Sequence, residues 1–176
     1  MTWQEGEFEE LGAELRRRVG AEFEDEAAEL ERLAVIQRKR RGSIADAAQA
    51  SMHGGDRVTF VTAAGSWSGH LVMVGADYAA LVSGDLIIEA HLLSITLLTE
   101  PSRSGGKSGV PASSTWRARL AEIEMNKERV SIFIGQDERV GFISVVAADY
   151  LEFVSDEEHW VLPLSAVRFF IRPRPV

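Results

Sequence analysis

The feature that most constrains this chain is an internal repeat at one constant offset. Residues 57–83 align with residues 129–155 without a gap. The triplet Ala76-Asp77-Tyr78 of the first segment recurs as Ala148-Asp149-Tyr150 in the second. Identities at one constant offset, with apolar positions matched between them, indicate a duplication within the chain. We therefore expect the two segments to fold in the same way.

Each copy of the repeat predicts five short strands. Apolar and polar side chains alternate near residues 58–62 and 130–134, which is typical of half-buried strands. Later apolar segments are separated by turn residues, of which Asp77 is one. A meander of five short strands has to cover its own edges. Each copy, residues 56–98 and 128–170, is therefore expected to close into a small barrel.

A short helix precedes each predicted barrel at the same offset. Ser43 and Asp46 predict a capping box that begins a helix over 44–52, and Thr115 predicts the cap of a helix over 116–125. The predicted fold class is α+β, mainly β. The predicted organisation is a helical arm (1–42), barrel repeat 1 (43–98), a flexible Ser/Gly/Pro-rich linker (99–114) and barrel repeat 2 (115–176).

The order of motifs resembles the Sm/LSm superfamily. An apolar strand, Gly69, a second apolar strand and the Asp77-Tyr78 turn follow a short helix. The pattern is also similar to uncharacterised actinobacterial proteins with a helical N-terminus and an Sm-like barrel. The resemblance implies tandem Sm-like barrels and, because Sm and Hfq proteins form rings on uridine-rich RNA, RNA as a partner to consider. Ala79-Ala80 stand where Sm proteins hold Asn, and only His91 matches the Lys-His pair of Hfq.

The overall composition argues against nucleic-acid binding, and no group of residues resembles an enzyme active site. The chain has 19 basic and 27 acidic side chains, a formal net charge of −8, and no cysteine. An acidic protein is a poor ligand for phosphates, and the lack of cysteine excludes thiolate metal sites. The four histidines show no metal-ligand spacing, so no metal, cofactor or catalytic set is predicted. With no membrane-length apolar run and no secretory signal, a cytoplasmic location is predicted.

The N-terminal arm carries an apolar stripe and a basic end. The stripe follows a heptad-like spacing through Phe23, Ala27, Leu30, Ala34 and Gln37. Two alternatives are open for this stripe, namely docking on the chain's own barrels and forming a helical dimer with a second chain. The basic end could contact phosphates or could be a solvated helix end beside the preceding acidic block. It consists of Arg38, Lys39, Arg40 and Arg41.

These features together predict a non-enzymatic protein-interaction or assembly module. The candidate interface residues are Trp67, in an expected hairpin, and Phe23 and Leu30 of the arm. A protein partner or self-association is predicted, and RNA is disfavoured. The alternatives are an RNA-binding Sm/Hfq-like regulator and a DNA-associated regulator that uses the basic helix end. The candidate nucleic-acid contacts are Arg38, Lys39, Arg40, Arg41 and His91.

Overall fold

The chain divides into two units, residues 1–42 and 43–176. A computed structural model describes residues 23–24, 26–102, 110–111, 114–156 and 158–174. In the first unit residues 23–24 and 26–41 are helical, and we call this helix α1. The start of the predicted arm, residues 1–22, and the linker segments 103–109 and 112–113 lie outside the described residues.

Two capped helices belong to the second unit, α2 (Ile44–Gly54) and α3 (Trp116–Asn126). The Asp46 amide donates to Ser43 Oγ at 3.1 Å, and the Ser43 amide donates to Asp46 Oδ2 at 2.6 Å. This is the capping box that the sequence predicts, and it satisfies amides that have no partner within the helix. Thr115 Oγ1 caps α3 by accepting from the Ala118 amide. The two helices begin at matching positions of the two repeats.

The strands of the two repeats begin at matching positions in all but one case. The first repeat contains a 3₁₀ turn at Leu92–Ser94. The strands are β1 (Arg57–Thr62), β2 (Gly65–Val74), β3 (Tyr78–Ser83), β4 (Leu86–His91), β5 (Thr96–Glu100), β6 (Val110–Pro111), β7 (Arg129–Ile134), β8 (Asp137–Val146), β9 (Tyr150–Ser155), β10 (Glu158–Pro163) and β11 (Phe169–Pro173).

The expectation of two closed five-stranded barrels is wrong. Ten strands form one open antiparallel sheet in the order β10-β9-β8-β7-β11-β4-β3-β2-β1-β5, and β6 adds a short parallel pair to β2. The fifth strand of the second repeat, β11, lies between β7 of its own repeat and β4 of the first repeat. Closure would cover both edges of each repeat, whereas the sheet covers one edge of each repeat with the other repeat. In the described chain β5 and β10 are the two ends of the sheet.

The exceptional strand is β11, which is displaced by one residue relative to β5. At the constant offset of the repeat Phe60 falls on Ile132, and Leu97 falls on Phe169. Phe60 lies opposite Leu97 in the sheet. Ile132, however, lies opposite Phe170, which is the residue after Phe169. The second repeat therefore has one more residue than the first at the corner before its last strand.

This displacement decides which residues of the two repeats correspond in space. We call two residues counterparts when they occupy the same place in the two repeats. In the helices and in the other repeated strands, counterparts follow the constant offset of the sequence alignment. In β5 and β11 they follow the strand pairing instead, so Leu97 has Phe170 as its counterpart.

A shared glycine allows the second and third strands of each repeat to approach closely. A Cβ atom on Gly69 would lie 1.8 Å from the Val82 carbonyl oxygen, and one on Gly141 would lie 2.0 Å from the Val154 carbonyl oxygen. No side chain fits at either position without a backbone shift. This close approach gives a physical reason for the glycine in both copies.

Two hydrophobic cores lie on the sheet, and each takes a side chain from the other repeat. The first core is built around Phe60, Leu81 and Ile88 of the first repeat, and Phe169 of the second repeat packs into it. The second core is built around residues such as Leu120 and Phe153, and Tyr78 of the first repeat packs into it. This exchange of side chains joins the two repeats into one folded unit.

Candidate assembly interface

Strands β4 and β11 and helix α3 form the contact between the repeats, which we call the internal junction. Phe170 lies opposite Glu89, and Arg172 lies opposite Ile87. Helix α3 packs on β8 of its own repeat. From this position its side chains also reach β4 of the first repeat.

The internal junction buries a carboxylate between two guanidinium groups. Glu89 of β4 is 1% exposed. Its Oε2 accepts from Arg119 Nε of α3 at 2.6 Å, and its Oε1 accepts from Arg119 Nη2 at 2.8 Å and from Arg172 Nε of β11 at 2.9 Å. We call Glu89, Arg119 and Arg172 the junction triad. Such a group is stable only when every buried charge has its partner.

Further carboxylates surround the triad on its solvent side. Glu122 Oε2 lies 2.6 Å from Arg119 Nη1, and Glu128 Oε2 lies 3.3 Å from Arg172 Nη1. The hydrogen bond with Glu89 raises the pKa of Arg119 above its ordinary value, although burial acts in the opposite direction. Arg119 is therefore a permanent cation inside the junction.

An aromatic cluster closes the same junction. The Trp67 ring lies 5.3 Å from the Phe169 ring and 6.2 Å from the Phe133 ring, and these two phenyl rings stack at 4.7 Å. Trp67 belongs to the first repeat, and both phenylalanines belong to the second. The tryptophan singled out from the sequence as an interface residue is thus half-buried between the two repeats of one chain.

The Asp77-Tyr78 turn connects the first repeat to the start of α3. Asp77 Oδ1 accepts a hydrogen bond from the Trp116 amide. The Tyr78 hydroxyl lies 2.9 Å from Ser114 Oγ, and its residue is 1% exposed. Burial raises the pKa of Tyr78, so the hydroxyl stays protonated at neutral pH. The turn therefore has a role in joining the repeats as well as in forming the strand connection.

The remaining predicted site residues are placed in different surroundings. Phe23 and Leu30 are each 67% exposed on α1. Arg38, Lys39, Arg40 and Arg41 are exposed at the end of the same helix. His91 belongs to the second unit, where its Nε2 atom is 3.8 Å from Asp77 Oδ2 and its ring meets Trp116 edge-on.

The β10 end of the sheet exposes the counterparts of residues that the internal junction buries or packs. Val161, the counterpart of Glu89, is 61% exposed. Tyr150 and Val145, the counterparts of Tyr78 and Met73, are also exposed. At the internal junction Tyr78 and Met73 pack into the second core. The β10 end therefore presents an apolar surface at positions where the first repeat is covered by α3 and β11.

The β5 end presents the complementary set of counterparts. Leu98, the counterpart of Ile171, is 56% exposed, and Val61, the counterpart of Phe133, is also exposed. Helix α2 takes the place of α3, with exposed Ala47 as the counterpart of Arg119. Unpaired strand edges with apolar side chains are templates for pairing with another chain.

The described residues do not bring together a set of metal ligands. No group of three or more His, Cys, Asp or Glu side chains in the described ranges could hold a metal ion. A hollow of about 340 Å³ opens beside the aromatic cluster, and its polar lining includes Ser94, Gln136 and Arg168. Among the helices that the structure describes, none has the length and apolar character that crossing a bilayer requires.

Comparison with protein families and with curated proteins finds no match to this chain.

The sequence pattern does not predict that Glu89, Arg119 and Arg172 meet in the folded chain. A signal for one of them is present, because Glu89 interrupts the apolar segment from Leu86 to Ala90. A charged residue in a strand of this kind is buried only with a partner. Arg119 and Arg172 have no comparable signal, since arginines are common on the surfaces of helices and edge strands.

Proposed function

We propose that this chain is a non-enzymatic, cytoplasmic assembly module whose copies join head to tail. Strand β10 of one copy would pair with β5 of the next. The observation that carries the proposal is the internal junction, where β4 and β11, the counterparts of β10 and β5, already form such a pair. The occupant of each open end is therefore a second copy of this chain.

The register of the internal junction gives the register of the proposed join. Transfer of the β4–β11 pairing places Val161 opposite Leu97, Trp160 opposite Leu98 and His159 opposite Thr99 of the next copy. Trp160 packs on the second core, so Leu98 would be covered there as Ile171 is covered by the first core. Burial of exposed apolar surface would favour the join.

The join has one unfavourable pair in this register. Glu158 would lie opposite Glu100, where the internal junction has Leu86 opposite Pro173. The pair is at the strand end, where water and salt screen like charges. We therefore expect the join to be specific but weaker than the internal junction.

Head-to-tail pairing has a geometric consequence. Because β10 and β5 are different surfaces, each added copy leaves one β10 edge and one β5 edge free. Joins of this kind generate a ring when the rotation between copies closes and a filament when it does not.

The acidic composition of the chain supports protein rather than nucleic acid as the partner.

Cysteine cross-linking tests the proposed register, and the chain itself has no cysteine to interfere. A Thr99→Cys chain is mixed with a His159→Cys chain and oxidised gently. Both positions are exposed in the single chain. Opposed residues of an antiparallel pair have Cα atoms about 4.5–5.5 Å apart, within the range that a disulfide bridges. We expect a covalent dimer that contains one chain of each kind.

The matched control moves one cysteine along the same strand. Thr96 is also exposed on β5, but it would lie opposite Leu162, about 10 Å along the strand from His159. The pair Thr96→Cys and His159→Cys should therefore stay uncross-linked. Equal yields for the two pairs would show random collision, and no yield from either pair would contradict the proposal.

A further inference from the structure

We infer that the junction triad selects which strand each sheet edge accepts, so that copies assemble in one order only. The inference rests on the proposed head-to-tail join and concerns its specificity. It follows from the difference between the triad and its counterparts at the open ends.

None of the three triad charges is retained at the open ends. Glu89 has Val161 as its counterpart on β10, and Arg119 has Ala47 as its counterpart on α2. The counterpart of Arg172 is Thr99 on β5. The internal junction is therefore charged at three positions that are uncharged in the join between copies.

This difference in charge makes two mismatched joins between copies unfavourable, namely β4 with β5 and β10 with β11. If β4 met β5 of another copy, Glu89 would be buried against Ala47 and Thr99 with no cation. If β10 met β11 of another copy, Arg119 and Arg172 would be buried against Val161 without the carboxylate of Glu89, and only Glu122 and Glu128 on their solvent side would remain to pair with them. A buried charge that loses its partner is strongly destabilising.

Among pairings of the fourth strand of one repeat with the fifth strand of another, the penalties leave two that are favourable, β4 with β11 and β10 with β5. First repeats would then always alternate with second repeats along an assembly, in one orientation. Unpaired charges that exclude wrong partners are a common basis of specificity between similar surfaces. The triad would thus stabilise the internal junction and also exclude mismatched strand pairings between copies.

The test transfers the triad to the open ends, where all three positions are exposed in the single chain. One chain carries Val161→Glu. A second chain carries Ala47→Arg and Thr99→Arg. In each chain alone, the altered end would meet an unaltered end and leave a buried charge unpaired, so both chains should remain monomeric by light scattering. Mixed together, they should recover the mass of the wild-type assembly. The altered β10 end of the first chain then pairs with the altered β5 end of the second, and the two unaltered ends pair with each other.

Two outcomes would overturn the inference while the proposed function stands, provided that the Thr99→Cys and His159→Cys chains still form their cross-link. The first is assembly of the Val161→Glu chain alone with an affinity within about twofold of wild type. The second is failure of the mixture to assemble although both chains are folded. A Gln136→Glu chain, which adds the same charge at an exposed turn, controls for general repulsion and should assemble like wild type.

A second measurement does not depend on assembly and addresses the internal junction directly. Glu89→Val leaves two buried arginines, whereas the triple variant Glu89→Val/Arg119→Ala/Arg172→Thr removes the whole triad. The single variant should unfold at a lower denaturant concentration than the triple variant. An equal or higher midpoint for the single variant would overturn the inference, because unpaired charge would then carry no penalty. If wild-type chains stay monomeric, the proposed function fails on its own test.

Discussion

The internal junction and the open ends of the sheet are built from counterpart strands and helices, and they differ in chemistry. At the internal junction β4 and β11 enclose a buried Glu89 with its two arginines. At the open ends the counterpart positions carry small or apolar side chains that water reaches, such as Val161 and Ala47. The comparison shows how one duplicated surface can become a fixed contact in one place and a free edge in another.

A second difference concerns the aromatic side chains. Trp67, Phe133 and Phe169 pack together at the internal junction. Their counterparts are Arg139, Val61 and Thr96, which supply no ring to a join between copies. The internal contact is therefore permanent, and we expect contact between copies to be reversible and to depend on concentration.

The largest expected effect comes from removing an aromatic ring of the internal junction. Phe169→Ala should lower the free energy of unfolding by about 3–5 kcal/mol, because a buried ring is lost from the first core. Urea denaturation measures the change. Thr96→Ala, which places the same alanine at the exposed counterpart position, should change the free energy of unfolding by under about 0.5 kcal/mol. Similar losses at the two positions would remove the distinction between the junction and the open end.

The next effect is on assembly rather than on folding. Leu98→Asp should weaken association at least about tenfold, which corresponds to about 1.4 kcal/mol, because the join would bury a carboxylate beside Trp160. The unfolding midpoint of the single chain should hardly change, since Leu98 is 56% exposed. Sedimentation at several concentrations measures the association. Unchanged association would exclude β5 from the join.

A smaller effect is expected from a single hydroxyl group. Tyr78→Phe should cost about 0.5–1.5 kcal/mol of stability at pH 7, because it removes the hydrogen bond to Ser114. Tyr150→Phe, at the exposed counterpart, should cost close to nothing, since Tyr150 is 37% exposed. The two variants are compared in the same denaturation assay. A larger loss for Tyr150→Phe would reverse the comparison.

The same tyrosine predicts how stability changes at alkaline pH. Burial raises the pKa of Tyr78 in the folded chain, so the unfolded chain loses this proton first. The stability linked to the protonated hydroxyl is complete at pH values well below about 10, the ordinary pKa of tyrosine, and is lost as pH rises through the folded pKa. The advantage of wild type over Tyr78→Phe should therefore shrink between pH 9 and pH 11. An advantage that grows over this range would give the opposite sign and contradict the burial argument.

The smallest effect should come from the basic end of α1. Replacing Arg38, Lys39, Arg40 and Arg41 with glutamine should leave both assembly and stability unchanged within error, because all four side chains are exposed. The same variant separates the nucleic-acid alternatives from the assembly proposal. If wild type binds DNA or uridine-rich RNA at physiological salt and this variant does not, the basic end has a function that assembly does not explain.

The sequence predicts the local structure of this chain better than its topology. The repeat, the Ser43 capping box and the shared Gly69 follow from spacing and side-chain chemistry, which are local properties. Which strand covers the edge of β4 depends on a contact between repeats, and the repeat pattern is compatible with closure within each copy. The one-residue displacement of β11 also follows from the pairing rather than from the aligned residues.

The candidate site was predictable only in part for the same reason. Trp67 stood out because a large apolar side chain in a hairpin needs a surface to cover it. The junction triad did not, because its residues come from β4, α3 and β11 and meet only in the folded chain. A comparison of the two repeats at Glu89 and Val161 would have marked the position, since a charged and an apolar residue share one place in the pattern.

The solution mass of the wild-type chain tests the central claim most directly. Light scattering over a range of concentrations should give a weight-average mass that rises continuously above 19.4 kDa as the concentration increases. The Val161→Glu chain should stay at 19.4 kDa over the same range. A wild-type mass of 19.4 kDa at every concentration would contradict head-to-tail assembly through β10 and β5.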